Sequence, residues 1–198
     1  MTFDQAAAFL VFALVAAITP GPSNTMIVAT GSAVGIARGL PCVLGAALGM
    51  GTLLFGSALG LGQLVISQPV LLKALNWGGA AFLLWLAWKV ATAGRASEAG
   101  GGKPVGFVGA TLFQWINPKG WLVAVGAAGT YLQTSTDNPL AQALAFGAIF
   151  FGAAFSSGLA WLLLGAMINR LLRDDRSARI FNIVMGLALA ASVVMILR

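Results

Sequence analysis

Gln5 to Ala37, QAAAFLVFALVAAITPGPSNTMIVATGSAVGIA, is a run of 33 residues between Asp4 and Arg38 without a single charge. A helix needs about 20 apolar residues to cross a hydrocarbon core about 30 Å thick, and this run exceeds that. Yet Thr19-Pro20-Gly21-Pro22 stands near its middle. Proline removes a backbone N–H and clashes with the preceding turn. Two prolines around a glycine therefore interrupt the helix and do not merely bend it. Groups freed at that depth need partners, and irregular backbone is tolerated there only beside protein or a water-filled cavity. A new helix is expected after Pro22, with Ser23 and Asn24 in its first turn, where side-chain oxygens cap free N–H groups. Such an open N-terminus attracts anions through its unpaired N–H groups and its dipole. A substrate carboxylate is the natural occupant.

The rest of the 198-residue chain repeats the long neutral runs. Hydrophobic residues make up 59% and charged residues 8%, against about 25% charged in soluble domains. Water-soluble and disordered classes are excluded by the same count. The expected class is an all-α integral membrane protein with a single transmembrane domain over 1–198. Six spans are placed at about 4–29, 40–66, 69–92, 105–132, 139–169 and 180–197. Ala93 to Pro104, with Gly100, Gly101 and Gly102, reads as a flexible loop. The first residues lack the basic region of a signal peptide. The chain has no His and one cysteine, Cys42. That excludes His-dependent zinc and triad chemistry, an intrachain disulfide and a C-x-x-C pair. No cofactor is expected. The net charge of +6 does not point to nucleic acid, because the positive residues fall between apolar segments.

A second interruption, Asn117-Pro118-Lys119-Gly120, lies inside span four. Pro20 and Pro118 are 98 residues apart, and each is in the first helix of a set of three. A three-span repeat starts its second copy on the opposite side of the membrane. The expected architecture is thus a 3+3 inverted repeat, with halves about 1–99 and 100–198 and helices one and four broken. Discontinuous helices in inverted repeats mark transporter substrate sites near the midplane. Lys119 stands about fourteen residues into its span, where a cation costs about 2.5–3.5 kcal/mol on insertion scales. No Asp or Glu lies inside any span, Asp4 standing at the end of the first. The partners open to Lys119 are then backbone carbonyls, Asn117, Asn24, water or a substrate carboxylate. Lys119 is also the one deep titratable group available for proton coupling.

Eight of the 11 Lys and Arg fall after spans one, three and five, including Arg38, Lys89 and Arg176. The positive-inside rule puts those loops in the cytoplasm and both termini outside. Trp88 beside Lys89 reads as an interfacial anchor, and Trp77 as its counterpart or as interhelical packing. Gly31, Gly35 and Gly39, like Gly45 and Gly49, have the spacing of close helix packing. They are read as intramolecular contacts more than a dimer seam, with a homodimer left open. Ser156 and Ser157 are the polar candidates of span five, each open to bonding back to its own helix.

Thr19-Pro20-Gly21-Pro22-Ser23-Asn24-Thr25 resembles the first-helix motif of the lysine and homoserine exporter (LysE/RhtB-type) superfamily. Asn117-Pro118-Lys119 is similar to its fourth-helix counterpart, and Trp77-Gly78-Gly79-Ala80-Ala81-Phe82-Leu83-Leu84-Trp85-Leu86-Ala87-Trp88-Lys89 to its third helix. The likeness covers essentially the whole chain. Leu86 to Thr92 and Asn182-Ile183-Val184 resemble the cysteine/O-acetylserine exporter branch. The resemblance implies a multi-pass exporter of the bacterial inner membrane, driven by proton exchange, with an amino acid and protons as partners. Many superfamily members carry an acidic residue in helix five, where this chain has Ser156 and Ser157. That departure favours small neutral substrates of the cysteine, O-acetylserine, homoserine or threonine type over lysine or arginine.

Other classes are weaker. A passive anion channel also uses broken helices and positive residues. An intramembrane serine enzyme would need Ser23 with Lys119 as base. A metal-ion carrier lacks His, Asp or Glu in its spans.

Overall fold

A computed structural model describes residues 1–92, 105–132, 138–171 and 175–196. They form helices with no strand among them. In chain order these are α1 (Phe3–Ile18), α2 (Pro22–Ala58), α3 (Leu61–Ser67), α4 (Pro69–Ala91), α5 (Phe107–Ile116), α6 (Pro118–Tyr131), α7 (Pro139–Leu171) and α8 (Asp175–Ile196). Pro22–Ala58, Pro69–Ala91 and Pro139–Ile168 are each long and apolar enough to cross a membrane. Much of the outer surface is apolar, with Leu48, Leu84, Val108, Leu122 and Leu163 exposed. The stretch expected as the Ala93–Pro104 loop lies outside the described residues, as do Arg95, Lys103 and Arg173.

Local chemistry sets the helix ends. Thr2 and Gln5 form a reciprocal capping box at the start of α1. Pro22, Pro69 and Pro118 each open a helix, where a missing N–H costs nothing. At Gly35, with φ 75° and ψ −174°, α2 leaves helical geometry. A straight helix would hold Thr30 and Cys42 about 18 Å apart, but Thr30 Oγ1 is 3.8 Å from Cys42 Sγ. The chain therefore reverses at Gly35, and α2 is two antiparallel arms.

Contacts along α7 fix the directions. Phe9 stacks on Phe146 with ring centroids 4.1 Å apart, Ser157 Oγ donates to the Ala17 carbonyl, and Gly31 abuts Leu162. α1 and the first arm of α2 thus run parallel to α7 as one interrupted rod. The second arm runs the other way, with Gly39 at Leu162, Val43 at Gly158 and Gly51 at Gly147. Beside that arm, Gly45 meets Phe107, Gly49 meets Thr111 and Gly120 meets Leu53. α5 and α6 therefore form a second interrupted rod, antiparallel to the first. α4 runs against α5, with Gly79 at Ile116 and Phe82 stacked on Phe113. α8 leans on α4 through Gly186 at Ala87.

The described residues form eight helical elements, not six, with α2 counted once although it reverses at Gly35. The breaks before Pro22 and Pro118 and a left-handed turn at Gly60 (φ 103°) divide expected spans. Across Gly35, conversely, α2 holds arms of two expected spans. Trp77 and Trp88 are 66% and 71% exposed, so Trp77 is not interhelical packing. The Lys89 ammonium lies over the Trp85 ring, 4.8 Å from its centroid, and not over Trp88.

Candidate functional site

Both interruptions free backbone groups, which are taken up by side chains of the same rod, of α7 and, through Lys119, of the opposite rod. α1 ends with Thr19 at φ −59° and ψ 126°, and Gly21 is fully extended. The last carbonyls of α1 then point to no helical N–H. Asn24 Nδ2 donates to the carbonyls of Ala17 and Thr19, both at 2.9 Å. Ser157 Oγ donates to Ala17 O at 2.9 Å. Lys119 Nζ reaches across from α6 and donates to Thr19 O at 2.9 Å and Pro20 O at 3.3 Å. A cation at the C-terminal end of a helix meets the negative pole of its dipole.

The second break is closed from within and from the first rod. Asn117 is the N-cap of α6, its Oδ1 accepting from Lys119 N at 3.2 Å. Its Nδ2 donates to Gln114 Oε1 at 3.4 Å, while Gln114 Nε2 donates to Ser23 Oγ at 3.1 Å. Trp121 Nε1 donates to the Trp115 carbonyl at 2.7 Å. Ser23, Gln114 and Asn117 thus chain the start of α2 to the start of α6.

Between the breaks lies a cavity of about 50 Å³, room for a few waters. Ser23, Asn24, Gln114, Asn117 and Lys119 give it one polar side. Ala16, Ala17, Ala46, Met50, Val123, Phe150 and Ala154 give it a mostly small, apolar one. No Asp or Glu lines it. Among the described residues no group of His, Cys, Asp and Glu is placed to hold a metal. The arrangement can neutralise a carboxylate with Lys119 and the start of α2, and it offers a side chain no charge.

Thr19 and Pro20 are exposed, and their carbonyls serve Lys119. Gly21 lines the cavity, while Pro22 and Pro118 are buried as first residues of their helices. A methyl on Gly21 would stand 2.9 Å from Lys119 Nζ. Two expectations change. Asn24 does not cap the N–H groups of α2: Gly21 is the N-cap, no side chain caps it, and the Asn24 amide nitrogen is drawn to carbonyls of α1. Ser156 and Ser157 also part company. Neighbours on a helix point about 100° apart, so Ser157 is buried against α1 while Ser156 is exposed and bonded back to Gly152 O at 2.9 Å. Gln114, fully buried, is the site residue that sequence reasoning missed. Its signal was a lone amide in an apolar helix, three residues before Asn117 and so one turn away.

A family model described as LysE type translocator matches residues 14–197. The cysteine/O-acetylserine efflux protein of Salmonella choleraesuis (strain SC-B67) is 30% identical over 196 residues, covering 99% of each chain. The protein of that name from Escherichia coli (strain K12) is 29% identical over the same length and coverage. No solved structure is a significant match.

Proposed function

The chain belongs to the LysE type translocator family, a membrane transporter and not an enzyme, and from that premise we propose that it exports small neutral amino acids or their derivatives. The substrates are of the cysteine, O-acetylserine, homoserine or threonine type. The substrate carboxylate binds at the start of α2 and at Lys119, and its side chain lies on the small apolar wall. Asn24 and Asn117 supply further hydrogen bonds. The chain works as six spans in a 3+3 inverted repeat in the bacterial inner membrane, with both termini outside. Export is coupled to proton exchange, with Lys119 as the group that changes protonation.

One observation carries this reading. Lys119 Nζ, on one interrupted rod, closes onto the break of the other at 2.9 Å, beside a cavity lined by both breaks. The antiparallel course of the two rods supports the inverted repeat. The absence of Asp and Glu from the cavity lining supports neutral over cationic substrates.

Transport by purified protein in proteoliposomes, with an imposed pH gradient, tests the assignment. Cysteine, O-acetylserine, homoserine and threonine should exchange saturably, lysine should not, and collapse of the gradient should abolish net accumulation. Flux that does not saturate would indicate a channel. Faster exchange of lysine than of any neutral compound would contradict the substrate class.

A further inference from the structure

Two acceptors at the end of α1 are already occupied by an ammonium group, and it belongs to the protein. Lys119 Nζ donates to Thr19 O at 2.9 Å and to Pro20 O at 3.3 Å. A third acceptor stands beside them. Asn24 is 92% buried (8% exposed) and lines the cavity. Its amide orientation is set by two carbonyls: Nδ2 donates to Ala17 O and Thr19 O, and the reversed amide would put oxygen against oxygen. Asn24 Oδ1 is therefore turned away from those two carbonyls, and among the described residues none donates to it. It is not an enclosed atom, so on the cavity wall it is free to accept from a ligand that donates. These acceptors are uncharged, and the negative pole of α1 favours a cation among them.

We infer that Thr19 O, Pro20 O and Asn24 Oδ1 form the subsite for the substrate's α-ammonium group, and that Lys119 holds its two carbonyls until a substrate enters. The inference rests on the proposed carboxylate site, and it adds how the second charge of a zwitterion is read. An entering amino acid makes a double exchange. Its carboxylate draws the Lys119 ammonium off the end of α1, and its own ammonium takes the vacated carbonyls and the amide oxygen of Asn24. Neither half suffices alone. An amine without a carboxylate must compete with a tethered cation, and a carboxylate without an amine leaves the end of α1 bare. The cavity thus selects for both charges of an amino acid without any acidic side chain.

Calorimetric binding to the purified full-length protein, under reductant, separates the two halves. The probes are L-cysteine, L-cysteine methyl ester (ammonium only) and 3-mercaptopropionate (carboxylate only). On the wild type both partial probes should bind at least about tenfold more weakly than cysteine, the scale of one lost charge-assisted hydrogen bond. In Lys119→Met the ester should bind about tenfold tighter than on the wild type, because its subsite is free, and the acid about tenfold weaker. Gly21→Ala is an independent route. Gly21 is extended at φ 179°, so alanine suits its backbone, and the added methyl would crowd Nζ at 2.9 Å. There the ester should gain relative to the acid, because the crowded ammonium leaves the end of α1 but keeps its charge. An ester unchanged in both folded variants, or ester and acid falling together, would overturn the ammonium subsite while leaving the carboxylate site standing. Failure of cysteine and of the acid to bind folded wild type would instead remove the carboxylate site itself.

Discussion

The side-chain nitrogen of Lys119 lies 2.9 Å from the main-chain oxygen of Thr19, a residue 100 positions earlier in the chain. Each belongs to an interruption in an otherwise helical rod, and the rods run in opposite directions. A cation from the start of α6 thereby meets the carbonyl end of α1. The two breaks form one site, and no carboxylate side chain lines it.

The amide of Gln114 links those breaks, so its removal should loosen both. Gln114→Leu preserves bulk but leaves Ser23 Oγ and Asn117 Nδ2 without their partner. An unsatisfied buried group costs about 1–3 kcal/mol, which applies to buried Asn117 more than to half-buried Ser23. The expected result is a melting temperature lowered by several degrees in a thermal-shift assay in detergent, with transport affinity weakened as well. Unchanged melting would show that the chain from Ser23 to Asn117 adds little to the fold.

At Gly35 the reversal of α2 depends on a positive φ of 75°, and no atom stands within 4 Å of where a Cβ would be. The cost of Gly35→Ala is then backbone strain alone, about 1–3 kcal/mol, because φ 75° with ψ −174° is essentially confined to glycine. Gly35→Asn should cost as much, because asparagine tolerates the left-handed helical region and not this one. Thermal shift of the two variants checks both. Equal stability of alanine and glycine there would place the reversal elsewhere.

Gly49 lets α5 approach the second arm of α2. A methyl there would stand 2.6 Å from the Thr111 carbonyl oxygen and 2.7 Å from Gln114 Cγ. Overpacking of this kind costs about 1–3 kcal/mol. Gly49→Ala should therefore destabilise the fold and also shift Gln114, raising the substrate concentration needed for half-maximal exchange. Gly78, with open space around it, is the control: Gly78→Ala should leave both stability and exchange near wild type.

The breaks and Lys119 were legible because their signals are local. Pro20, Pro22 and Pro118 stop a helix wherever they stand, and one cation in a neutral run declares itself. The course of the chain around Gly35 was harder. Gly31, Gly35 and Gly39 share one spacing, yet the outer two pack on Leu162 and the middle one makes the turn. Spacing alone does not tell contact from reversal. Gln114 was missed because its partner Ser23 is 91 residues away. The place of Asn24 in the first turn after Pro22 is legible, but not that its amide nitrogen would be turned to α1. Donor or acceptor use was decided by the carbonyl end of α1, which composition does not reveal. Ser156 and Ser157 differ only by one step of helix rotation, which two adjacent identical residues cannot signal.

The most direct test of the account is counterflow in proteoliposomes holding unlabelled cysteine, with a labelled trace outside, for wild type and Lys119→Ala. Saturable exchange is expected in the wild type. In the variant, shown to be folded, exchange should fall at least about tenfold, as expected for loss of a charge-assisted contact worth about 1.5–3 kcal/mol. Undiminished exchange in Lys119→Ala would contradict the central role given to the cation that joins the two breaks.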